Sequence, residues 1–108
     1  MTKVGEHVTF DIIGTQKEYE PKFYEKLVYK IAKKAKVVVL EISKYKFEPQ
    51  GFTLVALLAE SHISFHTFPE KGIISFDFFT CGKVSPSVAL DVIKKDNFYD
   101  ESRGARHF

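Results

Sequence analysis

The chain has 108 residues, 44% of them hydrophobic, with 16 Lys and Arg against 14 Asp and Glu for a formal net charge of +2. That length makes one domain with its own core, small enough that association with a second chain would help bury surface, and the near-balanced charge, without a dense basic block, speaks against nucleic acid as a partner. The lone Cys81 rules out an internal disulfide and a cysteine-rich metal site; with no apolar run of membrane-spanning length and no secretion-signal layout in MTKVGEH, the protein is expected in the cytoplasm, without a membrane partner.

Residues 7–13 alternate Val8, Phe10 and Ile12 against Thr9 and Asp11 before Gly14, the period of a half-buried strand that ends in a turn. Pro21 then opens a segment in which Phe23, Leu27, Val28, Ile31, Ala32 and Ala35 recur at three- and four-residue spacing. This predicts an amphipathic helix laid on a sheet, with Lys26, Lys30, Lys33 and Lys34 as its solvated face. From Val37 onward, β-branched and aromatic residues predict strands over 37–43, 52–59, 62–68 and 73–80, punctuated by Pro49-Gln50-Gly51 and Pro69-Glu70-Lys71-Gly72. Short connections make them antiparallel neighbours. Ser85-Pro86 caps a second helix running to about Lys95, with Val88, Ala89, Val92 and Ile93 facing inward. The polar tail from Asp96, with Phe98, Tyr99 and Phe108 as its apolar anchors, is expected to add an edge strand or to stay partly loose. Residues 1–108 are thus expected to form a single α+β domain, a two-layer sandwich of an antiparallel β-sheet with two helices on one face.

Side chains alternate across a strand, so His62, Ser64, His66 and Phe68 share one face while Ile63 and Phe65 point into the core. The same parity groups Ser75, Asp77, Phe79 and Cys81 on the next strand. Two adjacent strands would then present a polar face that needs a ligand or a second subunit to cover it. His66, taken alone, could be a general base, a zinc ligand or a hydrogen-bonded structural histidine. His62, His66, Glu70 and Cys81 match no zinc-ligand spacing, and no metal is expected.

The run Ala59-Glu60-Ser61-His62, with Gly5-Glu6-His7, Phe47-Glu48-Pro49-Gln50-Gly51 and Phe79-Thr80-Cys81-Gly82 in this order, resembles the small prokaryotic S-adenosylmethionine decarboxylases. These are pyruvoyl enzymes that make their own cofactor by cutting themselves at a Glu-Ser bond. The resemblance implies that the Ser61 hydroxyl attacks the carbonyl of Glu60, that elimination at the serine Cα cuts the resulting ester, and that hydrolysis leaves a pyruvoyl group. A β chain of residues 1–60 and an α chain of residues 61–108 would result. His66 matches the histidine that takes the Cα proton, and Thr53 stands where a processing hydroxyl, commonly serine, is expected.

In the decarboxylation, the pyruvoyl ketone replaces pyridoxal phosphate as electron sink for the substrate amine. Cys81 matches the proton donor to the former Cα, a role for which a thiol suits because thiols ordinarily titrate near working pH. Phe47 matches an aromatic that stacks on adenine, and Glu70 a carboxylate that accepts hydrogen bonds from the ribose. Phe68 replaces the usual tryptophan of a Thr-Trp-Pro-Glu run, which makes the pocket wall smaller. The implied substrate is S-adenosylmethionine, the product the aminopropyl donor for spermidine, and the assembly a homodimer with its sites near the interface. Two alternatives stand beside this reading: an arginine decarboxylase with the same machinery, and a non-catalytic, ferredoxin-like ligand-binding domain.

Overall fold

A computed structural model describes residues 4–14 and 19–95 and the backbone of 105–107. In chain order the elements are β1 (Glu6–Ile13), α1 (Pro21–Ala35), β2 (Val39–Lys46), β3 (Phe52–Leu58), β4 (Ser61–Phe68), a 3-10 turn (Pro69–Lys71), β5 (Ile73–Thr80), α2 (Val88–Lys95) and β6 (Ala105–His107). The strands form one sheet in the order β2-β3-β4-β5-β1-β6, every neighbouring pair antiparallel. The edge strand expected in the tail is β6; the rest of the tail lies outside the described residues.

Local chemistry accounts for these elements. Pro21 starts α1 where a missing N–H costs nothing, and Lys33 and Lys34 complement the free carbonyls of its last turn. The helix closes through Lys36 in the left-handed conformation, φ 60°, with Val37 N–H on the Ala32 carbonyl at 3.0 Å. Its buried stripe includes Tyr24, which the spacing argument had left off the core face. The Tyr24 ring sits between Phe52 and Phe65, with centroids 5.3 and 5.4 Å away, while Phe23 is only partly buried. Before α2, Ser85 Oγ accepts the Ser87 N–H at 3.3 Å, and the helix proper begins at Val88.

Both helices bury their apolar stripes in one cluster with a single face of the sheet: Val8, Phe10 and Ile12 from β1, Leu54, Ala56 and Leu58 from β3, Ile63 and Phe65 from β4, and Ile74, Phe76 and Phe78 from β5. Each such side chain larger than alanine contributes roughly 1.5–3 kcal/mol by leaving water. This is the α+β two-layer sandwich expected, with both helices on one side. Strand β2 starts two residues later, at Val39, and runs three residues further than its β-branched stretch suggested. Its polar end, Lys44 to Lys46, is carried by the ladder to β3, with Tyr45 opposite Thr53 and Lys46 opposite Phe52. Among the described residues, no helix is long and apolar enough to cross a membrane.

Candidate active site

The link between β3 and β4 is two residues long, because Leu58 pairs with Ser61 across the hairpin. Ala59, expected at the end of β3, therefore joins Glu60 in the turn, and Ser61, expected in the link, opens β4. Glu60 adopts φ 60°, a left-handed conformation that costs a side chain other than glycine roughly 1 kcal/mol. The turn is held from both sides: Ala59 N–H donates to the Val38 carbonyl at 2.9 Å, and Cys81 N–H donates to the Glu60 carbonyl at 3.3 Å.

Ser61 and Thr80 face each other across the β4–β5 ladder. Ser61 Oγ donates to Thr80 Oγ1 at 2.8 Å, and the same oxygen accepts the Gly82 N–H at 2.9 Å. Both hydroxyls are buried. Cys81 follows directly, exposed and just beyond the end of β5. Gly5 makes this corner possible, since a Cβ there would lie 2.6 Å from Phe79 Cζ and 2.9 Å from the Thr80 carbonyl oxygen.

A second cluster lies at the other end of β4. Thr53 sits opposite His66, with Thr53 Oγ1 3.1 Å from His66 Nδ1. Both line a depression of about 320 Å³ with Phe47, Gln50, Phe68 and Glu70. Gln50 Nε2 donates to Glu70 Oε1 at 3.4 Å, and Phe47 packs against Tyr45 with ring centroids 4.8 Å apart.

Between these ends, the sheet face that no helix covers carries a third group. Asp77 Oδ2 takes hydrogen bonds from His7 Nε2 at 2.8 Å and His62 Nε2 at 3.1 Å, and Oδ1 takes one from Ser64 Oγ. Burial works against ionisation of Asp77, but the bonds from Ser64, His7 and His62 together outweigh it and hold the carboxyl below the usual range. His62 also stacks on Phe79 with centroids 6.0 Å apart. His7, His62 and Asp77 could each offer a ligand atom to a metal, these atoms lying within 4.8 Å of one another. Of the four residues weighed for zinc from the sequence, only His62 belongs to this group.

The residues marked out in the sequence therefore fall into two sets. Glu60, Ser61 and Cys81 meet at one end of β4, while Phe47, Thr53, His66, Phe68 and Glu70 meet at the other. Five residues of extended chain separate Ser61 from His66, roughly 16 Å. Parity also opposes them: Ser61 shares the core side with Ile63 and Phe65, His66 the open side with His62 and Ser64. Within one chain His66 does not reach Ser61. Thr80 and His7 gained no role from the sequence because their partners lie across strands, Ser61 19 and Asp77 70 positions away.

A family model described as S-adenosylmethionine decarboxylase matches residues 6–102. The S-adenosylmethionine decarboxylase proenzyme of Geobacillus sp. (strain WCH70) is 38% identical over 95 residues, which span 86% of this chain and 77% of that protein. The proenzyme of the same description from Methanococcus vannielii is 39% identical over 85 residues, spanning 77% of this chain and 70% of that one. Among solved structures, the adenosylmethionine decarboxylase of Aquifex aeolicus superposes with a TM-score of 0.83 at 30% identity, covering 100% of this chain and 89% of the other.

Proposed function

The chain belongs to the S-adenosylmethionine decarboxylase family, and on that premise we propose that it is a proenzyme that cuts itself between Glu60 and Ser61, converts Ser61 into a pyruvoyl group, and decarboxylates S-adenosylmethionine to the aminopropyl donor for spermidine synthesis. The observation that carries this reading is the Glu60–Ser61 bond itself. It lies at a two-residue turn with Glu60 in a left-handed conformation, its carbonyl held by Cys81 N–H and the following serine hydroxyl held by Thr80. The residues present suit the group that would form, because Ser61 begins a strand immediately after the turn and scission would leave it as a chain terminus beside Cys81. Such a pyruvoyl group would supply an electrophilic carbonyl that takes up the electrons released with carbon dioxide.

The other residues take roles that their places allow. The Cys81 thiol lies exposed next to the new terminus and would return a proton to the substrate's former Cα. Phe47 and Phe68 offer aromatic faces to the adenine and the sulfonium, and Glu70, steadied by Gln50, would accept hydrogen bonds from the ribose hydroxyls. His66, oriented by Thr53, would remove the Ser61 Cα proton during cleavage. Since it lies at the far end of β4 from its own Ser61, the base must come from a second copy of the chain. A homodimer would meet that need, and one formed across the open sheet face would cover Val55 and Leu57, which are 44% and 51% exposed there.

Intact mass under denaturing conditions tests the reading. The wild type is expected as two fragments, 1–60 and 61–108, the second lighter by one ammonia than a serine-headed chain, and Ser61→Ala as one whole chain. The cut protein should release carbon dioxide from S-adenosylmethionine. A wild type that stays whole after long incubation overturns the proposal, and carbon dioxide from arginine alone overturns its substrate.

A further inference from the structure

We infer that Thr80 is a positioning residue for the self-cleavage step, holding the Ser61 hydroxyl for attack while Cys81 N–H receives the charge that develops on the Glu60 carbonyl oxygen. This rests on the reading that the Glu60–Ser61 bond is cut. Thr80 continues the core-facing row Ile74, Phe76 and Phe78 of β5 and is 2% exposed, a place where an apolar residue would avoid burying a hydroxyl. A hydroxyl at that place calls for a polar partner. Its oxygen accepts two hydrogen bonds, from Ser61 Oγ at 2.8 Å and Gly82 N–H at 2.9 Å. The second bond fixes the Thr80 rotamer against the backbone that follows β5. The first then fixes Ser61 Oγ, because Ser61 spends its proton on Thr80 and keeps its lone pairs for the neighbouring carbonyl.

Cys81 N–H points at that carbonyl's oxygen, 3.3 Å away, from the residue next to Thr80. One short segment, 80–82, therefore holds both nucleophile and electrophile. As the bond from Oγ to the Glu60 carbonyl carbon forms, negative charge gathers on the carbonyl oxygen and meets the Cys81 N–H. The bond from that carbon to the Ser61 nitrogen then breaks, and the proton formerly on Oγ ends on the serine amine. The amide becomes an ester with no atom gained or lost, and Thr80 is unchanged at the end. Thr80 acts only through Ser61, which separates it from His66, whose proposed work begins once the ester exists.

The test follows newly synthesised proenzyme by intact mass, in the wild type, Thr80→Val, Thr80→Ser and His66→Ala. Thr80→Val should be cut roughly a hundredfold more slowly, the scale on which misplacing a reacting atom acts, and Thr80→Ser should regain most of the wild-type rate. Hydroxylamine, which captures esters, should split His66→Ala at residue 60 but leave Thr80→Val whole, because the latter stalls before the ester. Thermal unfolding confirms that each variant is folded, and if Thr80→Val is not, Thr80→Ala against Thr80→Ser carries the comparison. A wild type that cuts while folded Thr80→Val cuts equally fast overturns this inference alone. So does a Thr80→Ser as slow as the valine variant, or a Thr80→Val that accumulates hydroxylamine-sensitive ester. A wild type that never cuts removes the underlying reading and this inference with it.

Discussion

At the level of single residues, Asp77 shows how much of this molecule rests on partners distant in sequence. Its carboxylate takes hydrogen bonds from Ser64, His62 and His7, which lie 13, 15 and 70 positions away. Burial disfavours the ionised form, but the three donors together hold the carboxyl below its ordinary range. A depressed carboxyl stabilises the fold above the unfolded value, near 3.9, and that stability is lost as pH falls through the folded value. Asp77→Asn should therefore be less stable than the wild type at pH 7 by about 1 kcal/mol in urea unfolding, a figure that allows for partial exposure. The gap should begin to narrow as the pH falls below about 4 and close below the depressed folded value, and a gap that stays constant as the pH falls from 7 to the lowest value at which both proteins remain folded would show that the charge plays no part. Alternation along β4 and β5 already placed Ser64 and Asp77 on one face. It could not pair them, because the cross-strand register is a property of the assembled sheet and not of either strand.

Elements were legible where the hydrophobic period was strong and unreliable where the ladder decides. The stripe of α1 and the strands β3, β4 and β5 came through within a residue or so at their ends. β2 did not, since Lys44, Tyr45 and Lys46 have neither the alternation nor the burial of a strand and are held by pairing with β3. Tyr24 was passed over for Phe23 although it stands three and four residues before Leu27 and Val28, and its buried ring packs against Phe52 and Phe65. The C-terminal closure of α1 offers a direct test of local backbone cost. Lys36 holds φ 60°, where glycine bears no steric penalty, so Lys36→Gly should stabilise the protein by roughly 1 kcal/mol in thermal unfolding despite glycine's looser unfolded chain. A loss of stability would mean that the lysine's charge near the last carbonyls outweighs the strain. The turn at Glu60 shares this conformation; the break expected between residues 59 and 62 put Glu60 in the link, and the pairing of Leu58 with Ser61 sets the turn at Ala59 and Glu60.

At the scale of the whole molecule, the separation of Ser61 from His66 ties the proposed chemistry to the proposed dimer. Chains carrying Ser61→Ala and chains carrying His66→Ala should each be inactive alone. Co-expressed, they should form mixed dimers in which one site pairs an intact Ser61 with the other copy's intact His66, restoring part of the cleavage and of the carbon dioxide release. No recovery on mixing, with mixed dimers present, would place each site within one chain and would require β4 to be rearranged. The resemblance in the sequence implied a role for both residues, but their placement on opposite faces followed only once Ser61 was seen to open β4.

The turn between β3 and β4 has one more consequence. Were the chain opened there, the strands on either side would keep all their neighbours, because β3 stays between β2 and β4, and β4 between β3 and β5. The two pieces would also interleave, the first supplying β1, β2 and β3 and the second β4, β5 and β6, so that β1 lies between two strands of the other piece. They would behave as a split protein whose halves fold only as complements. Neither could leave without dismantling the sheet, and a break in covalent continuity at the centre of the fold would cost little cohesion.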